Sequence, residues 1–185
     1  MISNDSEVPK RPSSLNQCDT NVTANINDIS KTNLRDNCIF NAVEHFYMKN
    51  RNSLKIAHIN VNSIRHKFEP FREVLIEHIF DVICIQETKI DHTFPENQFN
   101  VPLYKVHRND YRDNKGGLMM IVRNDMPQHR RHDIELCALN NDNYRIELLC
   151  IEIKINREQW IIISIYKQPK VNISCLNTCI DKIMN

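Results

Sequence analysis

The stretch that most constrains this chain is Asp81 to Lys89, D-V-I-C-I-Q-E-T-K. Val82, Ile83, Cys84 and Ile85 make an unbroken, largely β-branched apolar run, too short for a typical helix and of the kind that fills a strand buried on both faces. Gln86 and Glu87 then stand where that strand leaves its sheet. A carboxylate at the rim of a rigid sheet is placed to bind a hard cation such as Mg²⁺, because hard cations take oxygen ligands. Taken alone, the stretch fits the commoner case better, a solvated Glu just past a strand.

What precedes the run supplies a partner for Glu87. Leu54 to Val61, L-K-I-A-H-I-N-V, alternates as a strand with mixed faces. Phe68, Phe71, Leu75 and Ile79 then recur at helical spacing, which predicts a helix from Pro70 to His78 with Pro70 in its first turn. Strand, helix and strand in that order make a β-α-β unit, whose right-handed crossover leaves the two strands parallel. Parallel pairing brings both C-terminal strand ends to one rim, so Asn60 is expected to face Glu87. The plainer reading of Asn60 is a strand-end residue bonded to its own turn.

Beyond Glu87 the pattern predicts strands at Leu103 to His107, Leu118 to Val122, Ile134 to Ala138, Tyr144 to Ile155 and Gln159 to Tyr166, the last two joined by the turn N-R-E. A helix opens at Val171, with Leu176, Ile180 and Ile183 on one side. The loop H-R-N-D-Y-R-D-N-K-G-G carries Arg108, Arg112 and Lys115, which suit a nucleic-acid backbone. Asp110 and Asp113 are interleaved, so a solvated loop fits as well. The loop ends in Gly116 and Gly117, the only two glycines in the chain, marking a tight turn or a close backbone approach. His58, His66 and His107 read as ordinary polar residues, and Cys84 as a small buried hydrophobe.

Composition sets the bounds around these elements. At 185 residues, 41% hydrophobic and 25% charged, the chain has room for one ordinary domain. A net charge of +1 gives no global basic signature, so a nucleic-acid role needs a local patch. Residues 1–53 read as a disordered polar leader, too poor in large apolar side chains to offset chain entropy, with a short helix at 38–48; the folded domain is expected over 54–185. The seven cysteines are scattered without a C-x-x-C pair and read as reduced intracellular thiols. No signal pattern opens the chain, and no apolar run approaches the ~18 residues of a membrane span. The N-x-S/T triplets at Asn4, Asn21 and Asn172 are accordingly read as chance matches.

Taken together, I-N-V-N at 59–62, I-Q-E-T-K at 85–89, G-G-L-M-M-I-V at 116–122 and S-I-Y at 164–166 resemble the endonuclease/exonuclease/phosphatase superfamily. The likeness is strongest to the apurinic-type endonuclease domain of non-LTR retrotransposons, especially in H-I-N-V-N-S-I-R-H-K-F at 58–68, and it extends over about Leu54 to Lys170. It implies a four-layered α/β sandwich that hydrolyses DNA phosphodiesters with a divalent metal, usually Mg²⁺, the nick priming reverse transcription. By the same resemblance Glu87 is the metal-binding glutamate, Asn60 the asparagine that sets the metal and its acidic network, and Tyr166 a contact to the scissile phosphate; a buried aromatic on a strand is the plainer meaning of Tyr166. The later G-D-x-N and S-D-H motifs of the family do not occur here. The chain is therefore expected to be an N-terminal fragment, its C-terminal half and a reverse transcriptase domain lying elsewhere in a parent polyprotein, inactive by itself and left with an uncovered apolar sheet face. The setting implied is intracellular, and nuclear for a working enzyme. A cellular phosphoesterase of the same superfamily and a non-catalytic nucleic-acid-binding remnant remain the alternative readings.

Overall fold

Strand β2 (Val82–Gln86) carries apolar side chains on both faces, which only a strand covered from both sides can hide. In the computed structural model, which describes residues 45–111, 115–138 and 145–185, it is covered in that way. With β1 (Ile56–Asn60), β3 (Tyr104–Asn109) and β4 (Leu118–Arg123) it forms a sheet of order β1-β2-β4-β3. β1 and β2 are parallel, Ile56 beside Val82 and Asn60 beside Gln86, while β4 is antiparallel to both β2 and β3. The crossover between β1 and β2 contains α1 (Phe68–Ile76), with Pro70 in its first turn, where a missing N–H leaves no helical bond unmade. The expected strand, helix and strand unit is present.

A second, antiparallel sheet follows, of order β5-β6-β7: β5 (Gln128–Arg130), β6 (Ile146–Ile155) and β7 (Glu158–Lys167). Asn156 and Arg157 join β6 to β7 with φ of 50° and 76°, the two-residue hairpin whose left-handed centre matches strand twist. One turn of helix, α2 (His132–Glu135), lies between β5 and β6, and α3 (Ile173–Met184) follows β7. Asn172 caps α3, its side chain accepting from Ser174 N at 3.0 Å.

Side-chain alternation stacks these elements in four layers. Ile83, Ile85, Met119 and Ile121 of the first sheet pack against Phe68 and Leu75 of α1. Val82, Cys84, Leu118, Met120 and Val122, on its opposite face, meet Leu149, Ile151, Ile153 and Ile155 of β6. The outer face of the second sheet, with Ile146, Leu148 and Cys150, is closed by Cys179 and by half-buried Cys175, Leu176 and Ile183 of α3. The architecture is the four-layered α/β sandwich that the sequence resemblance implies, helix on sheet on sheet on helix.

Some expectations are corrected. The strands after Val122 do not wait for a missing partner sheet; they are that sheet, because β6 is apolar on both faces and folds over β2 and β4. Burying one Leu or Ile stabilises by roughly 1.5–3 kcal/mol, and β6 hides Ile146, Leu148, Leu149, Ile151 and Ile153 almost completely. The outer edge of β7 has no partner strand among the described residues, and Ile161 there is 41% exposed. The strand expected at Ile134 to Ala138 is instead the helical turn α2 and its exit, and the pairing partner of β6 is the polar triplet Gln128–Arg130. On α3 the buried stripe runs through Cys175, Leu176, Cys179 and Ile183, leaving Ile180 40% exposed. Residues 1–44, most of the expected leader and of the 38–48 helix, lie outside the described residues. Residues 45–49 are helical, with Phe46 and Tyr47 packed on the core beneath α1. Among the described residues no helix is long and apolar enough to cross a membrane.

Candidate active site

The rim where β1 and β2 end is held together by more than their ladder. Past the strands, Val61 N donates to Gln86 O at 3.0 Å, Ser63 N to Glu87 O at 2.7 Å and Ile64 N to Thr88 O at 2.9 Å. The chain here bends sharply: Asn62, Ser63, Glu87 and Lys89 all have positive φ, between 44° and 89°. Such conformations cost non-glycine residues of order 1–3 kcal/mol each and persist only where neighbours over-determine them, a pattern that gathers at functional sites.

Glu87 stands at the centre of the rim. Its Oε1 accepts from Asn60 Nδ2 at 2.8 Å and from the Tyr166 hydroxyl at 2.8 Å. Its Oε2 lies 3.6 Å from Lys89 Nζ. The Asn60 amide above all, then the Tyr166 hydroxyl and the Lys89 ammonium, hold the carboxyl below its ordinary pKa against the opposing effect of partial burial. Tyr166 responds in the opposite sense, its hydroxyl pushed up to about 12 by burial and by the adjacent carboxylate. Asn60 also makes the self-bonded turn, its Oδ1 accepting from Asn62 N at 3.1 Å. Lys89 donates to Asn62 Oδ1, which closes the ring of contacts.

Asn60, Glu87 and Tyr166, three residues singled out from the sequence, therefore meet on one oxygen atom. Of the basic loop residues, Arg108 does not join them. Arg108 is held by the protein itself, its guanidinium on Asp110, on the carbonyls of Phe94 and Asp91 at 2.9 Å each, and over the Phe99 ring. Lys115 is exposed next to Gly116, and Arg112 lies outside the described residues. His58 and His66 are exposed, and His107 is buried against Gln128 Oε1 at 2.7 Å, away from this rim.

One residue of the site escapes a reading by motif. Glu147, expected only as part of an apolar strand, sits opposite Tyr166 in the β6–β7 register with its side chain fully buried. Burial raises its pKa, and the charge of Glu87 adds to the shift. Strand alternation contains the signal, for Glu147 shares the inward face of β6 with Leu149, Ile151 and Ile153, an acid in an apolar register.

The donor set can be compared with the divalent cation that the resemblance implies. No group of three or more His, Cys, Asp and Glu gathers in metal-holding geometry among the described residues. Mg²⁺ does not require one, since it keeps several waters and is held by one or two carboxylates plus substrate oxygens. Glu87 fits that demand: Asn60 and Tyr166 occupy Oε1, while its side chain is 20% exposed and Oε2 lies beside the Lys89 ammonium. Asn60 fits less directly as a ligand, because its own oxygen already accepts the Asn62 amide.

No family model matches the sequence, and no curated protein matches it. Among solved structures, the endonuclease domain of TRAS1, a telomere-specific non-LTR retrotransposon, superposes with a TM-score of 0.51 at 11% identity, over 70% of this chain and 52% of that one. The catalytic domain of Xenopus laevis APE2 follows at a TM-score of 0.41 and 14% identity, over 65% of this chain and 47% of that one, too loosely to add weight. At such identity the likeness is one of fold. The chain spans about half the length of the solved domain it matches.

Proposed function

We propose that this chain, which has the fold of the endonuclease/exonuclease/phosphatase superfamily, is part of the endonuclease domain of a non-LTR retrotransposon, nicking DNA in the nucleus so that the freed 3′-hydroxyl primes a reverse transcriptase of the same polyprotein. The observation that carries the proposal is the convergence of Asn60 and Tyr166 on Glu87 Oε1 at 2.8 Å each. Sequence motifs far apart in the chain thereby make one site on a fold that hosts this chemistry.

In this reading Glu87 holds the divalent cation through Oε2. The cation, when bound, neutralises charge developing on the phosphate and its leaving oxygen. Asn60 fixes the rotamer of the carboxylate by filling Oε1, and the turn bond from Asn62 fixes Asn60 in turn. The high pKa of Tyr166 keeps it a hydroxyl at neutral pH, a single donor that would turn from Glu87 to a phosphate oxygen. The Lys89 ammonium adds positive charge beside the carboxylate. Groups that activate the attacking water have no candidate among these residues, and the other half of the matched domain is where we place them. The isolated chain is accordingly proposed to bind Mg²⁺ weakly and to leave DNA intact.

Titration of the 185-residue chain with Mg²⁺, followed by NMR at Glu87, Asn60 and Tyr166, tests the metal reading: shifts confined to this rim and abolished by Glu87→Ala are expected, and their absence overturns it. Supercoiled plasmid incubated with the same chain and Mg²⁺ should stay closed. Nicking that Glu87→Ala abolishes would instead show that this half suffices. Genomic sequence beyond the codon for Asn185 decides the retrotransposon origin; with no G-D-x-N, S-D-H or reverse transcriptase motif in any frame, that origin fails. The alternative of a binding remnant draws no support from Arg108, whose donors are already occupied.

A further inference from the structure

The two glycines of the chain do more than turn it into β4. Their carbonyls grip the segment that follows Glu87: Gly117 O accepts from Thr88 N at 3.2 Å, and Gly116 O from Lys89 N at 2.7 Å. Behind them stands Glu147, whose Oε2 accepts from Gly117 N at 2.6 Å, the short contact of a charge-assisted bond. The fit is close enough to demand glycine twice. A Cβ on Gly116 would lie 2.1 Å from Glu147 Oε1, and one on Gly117, where φ is 97°, would lie 2.3 Å from Thr88 Oγ1.

A buried carboxylate is an expensive choice for this place. Glu147 is 2% exposed, its Oε1 has no hydrogen-bond partner, and the Arg145 Nε nearest to an ion pair is 3.8 Å away. Burying a charge without full pairing destabilises, and a Leu or Ile in the same register, as at Leu149 and Ile151, carries no such penalty. What an aliphatic side chain lacks is an acceptor for the Gly117 amide.

We propose that Glu147 is a positioning residue for Glu87: by anchoring the Gly116–Gly117 turn through the Gly117 N–H, it holds Thr88 and Lys89, and with them the left-handed Glu87 whose carboxylate meets Asn60 and Tyr166. The proposal rests on Glu87 being the working carboxylate of the site. It separates this role from simple packing, which would tie Glu147 to β6 and its neighbours generally.

Amide hydrogen exchange measured by NMR on the full chain separates the two. In Glu147→Ala the amides of Thr88 and Lys89 should exchange about tenfold faster or more while Ile83 and Ile85 inside β2 keep their protection, the mark of a local opening. Glu147→Gln, which retains an acceptor oxygen at the same reach, should restore most of the protection. Gly116→Ala, which drives a methyl into the carboxylate, should reproduce the loss, and it decides the matter should Glu147→Ala fail to fold. Mg²⁺ titration of the same variants reads the consequence at Glu87, with affinity expected to fall about tenfold in Glu147→Ala. Unchanged exchange at Thr88 and Lys89, a uniform loss across β2 and β6, or lost protection with Mg²⁺ affinity intact would each overturn the proposal. Should the unsubstituted chain bind no Mg²⁺, the metal reading falls, and the exchange pattern still decides whether Glu147 holds the Glu87 segment.

Discussion

Strand β2 begins and ends on a carboxylate, and the two ends are built on opposite principles. Asp81, at the entry, is sealed: its side chain is 1% exposed, Oδ2 accepts from Lys55 N at 2.8 Å, and the Lys55 ammonium and Arg123 guanidinium lie 3.8 and 3.7 Å away. Those cations are themselves satisfied, Lys55 by the carbonyls of Asn50 and Ser53, Arg123 by Asp125. Glu87, at the exit, has a side chain 20% exposed and rests on strained backbone. Left-handed residues occur near both ends, but at the entry they are His78 and Leu103 in connections, whereas at the exit they are Glu87 and its immediate neighbours. One carboxylate is sealed in a sheet end, and the other stands at a partly open rim.

The largest expected effect breaks the sealed end. Asp81→Ala takes the carboxylate from buried Lys55 and leaves Arg123 with Asp125 alone, and removing one member of a buried ion pair costs about 3–5 kcal/mol; urea denaturation should show a loss of that size. Next comes the strained end. Gly117→Ala forces a side chain to φ 97° against Thr88 and should cost about 1–3 kcal/mol by the same measurement. Glu87→Ala should change stability by no more than about 1 kcal/mol, since its bonds lie at a wet rim. If it costs as much as Asp81→Ala, the contrast between the ends is false.

The smallest effect is a matter of pH. Asn60, Tyr166 and Lys89 lower the Glu87 pKa from its ordinary 4.5, so the carboxylate's contribution is present above pH 4.5 and lost as pH falls through the lower folded value. The stability difference between the unsubstituted chain and Glu87→Gln should thus be constant near neutrality and disappear in acid. A difference that instead grew on acidification would mean that the three donors do not act on Glu87.

Much of the Glu87 end was legible in the sequence for a topological reason. A strand, helix and strand permit essentially one handedness, so the meeting of Asn60 and Glu87 followed from element order alone. Tyr166 came only from resemblance, because its approach depends on how the second sheet lies over the first, and periodicity says nothing about that. The Asp81 end stayed hidden for a related reason: Lys55 and Asp81 precede β1 and β2 and Arg123 ends β4, and nothing local distinguishes a buried ion pair from solvated charges. β5 was misplaced because Gln128–Arg130 is polar and acquires its strand geometry from the edge of β6. Hydrophobic alternation detects a face to be buried and has no signal for an edge to be paired.

Gln86 donates through Nε2 to Ile165 O at 2.7 Å, one position before Glu87 on the first sheet and one before Tyr166 on the second. That bond pins the sheets together beside the contact between Tyr166 and Glu87. The site therefore straddles the plane between the sheets, and any relative slip of the two would be read directly as the separation of a hydroxyl and a carboxylate. A slip of about 1 Å would carry a 2.8 Å bond beyond hydrogen-bonding reach. Shear between the layers, ordinarily a property of the whole sandwich, is here the coordinate on which the contact of Tyr166 with Glu87 depends.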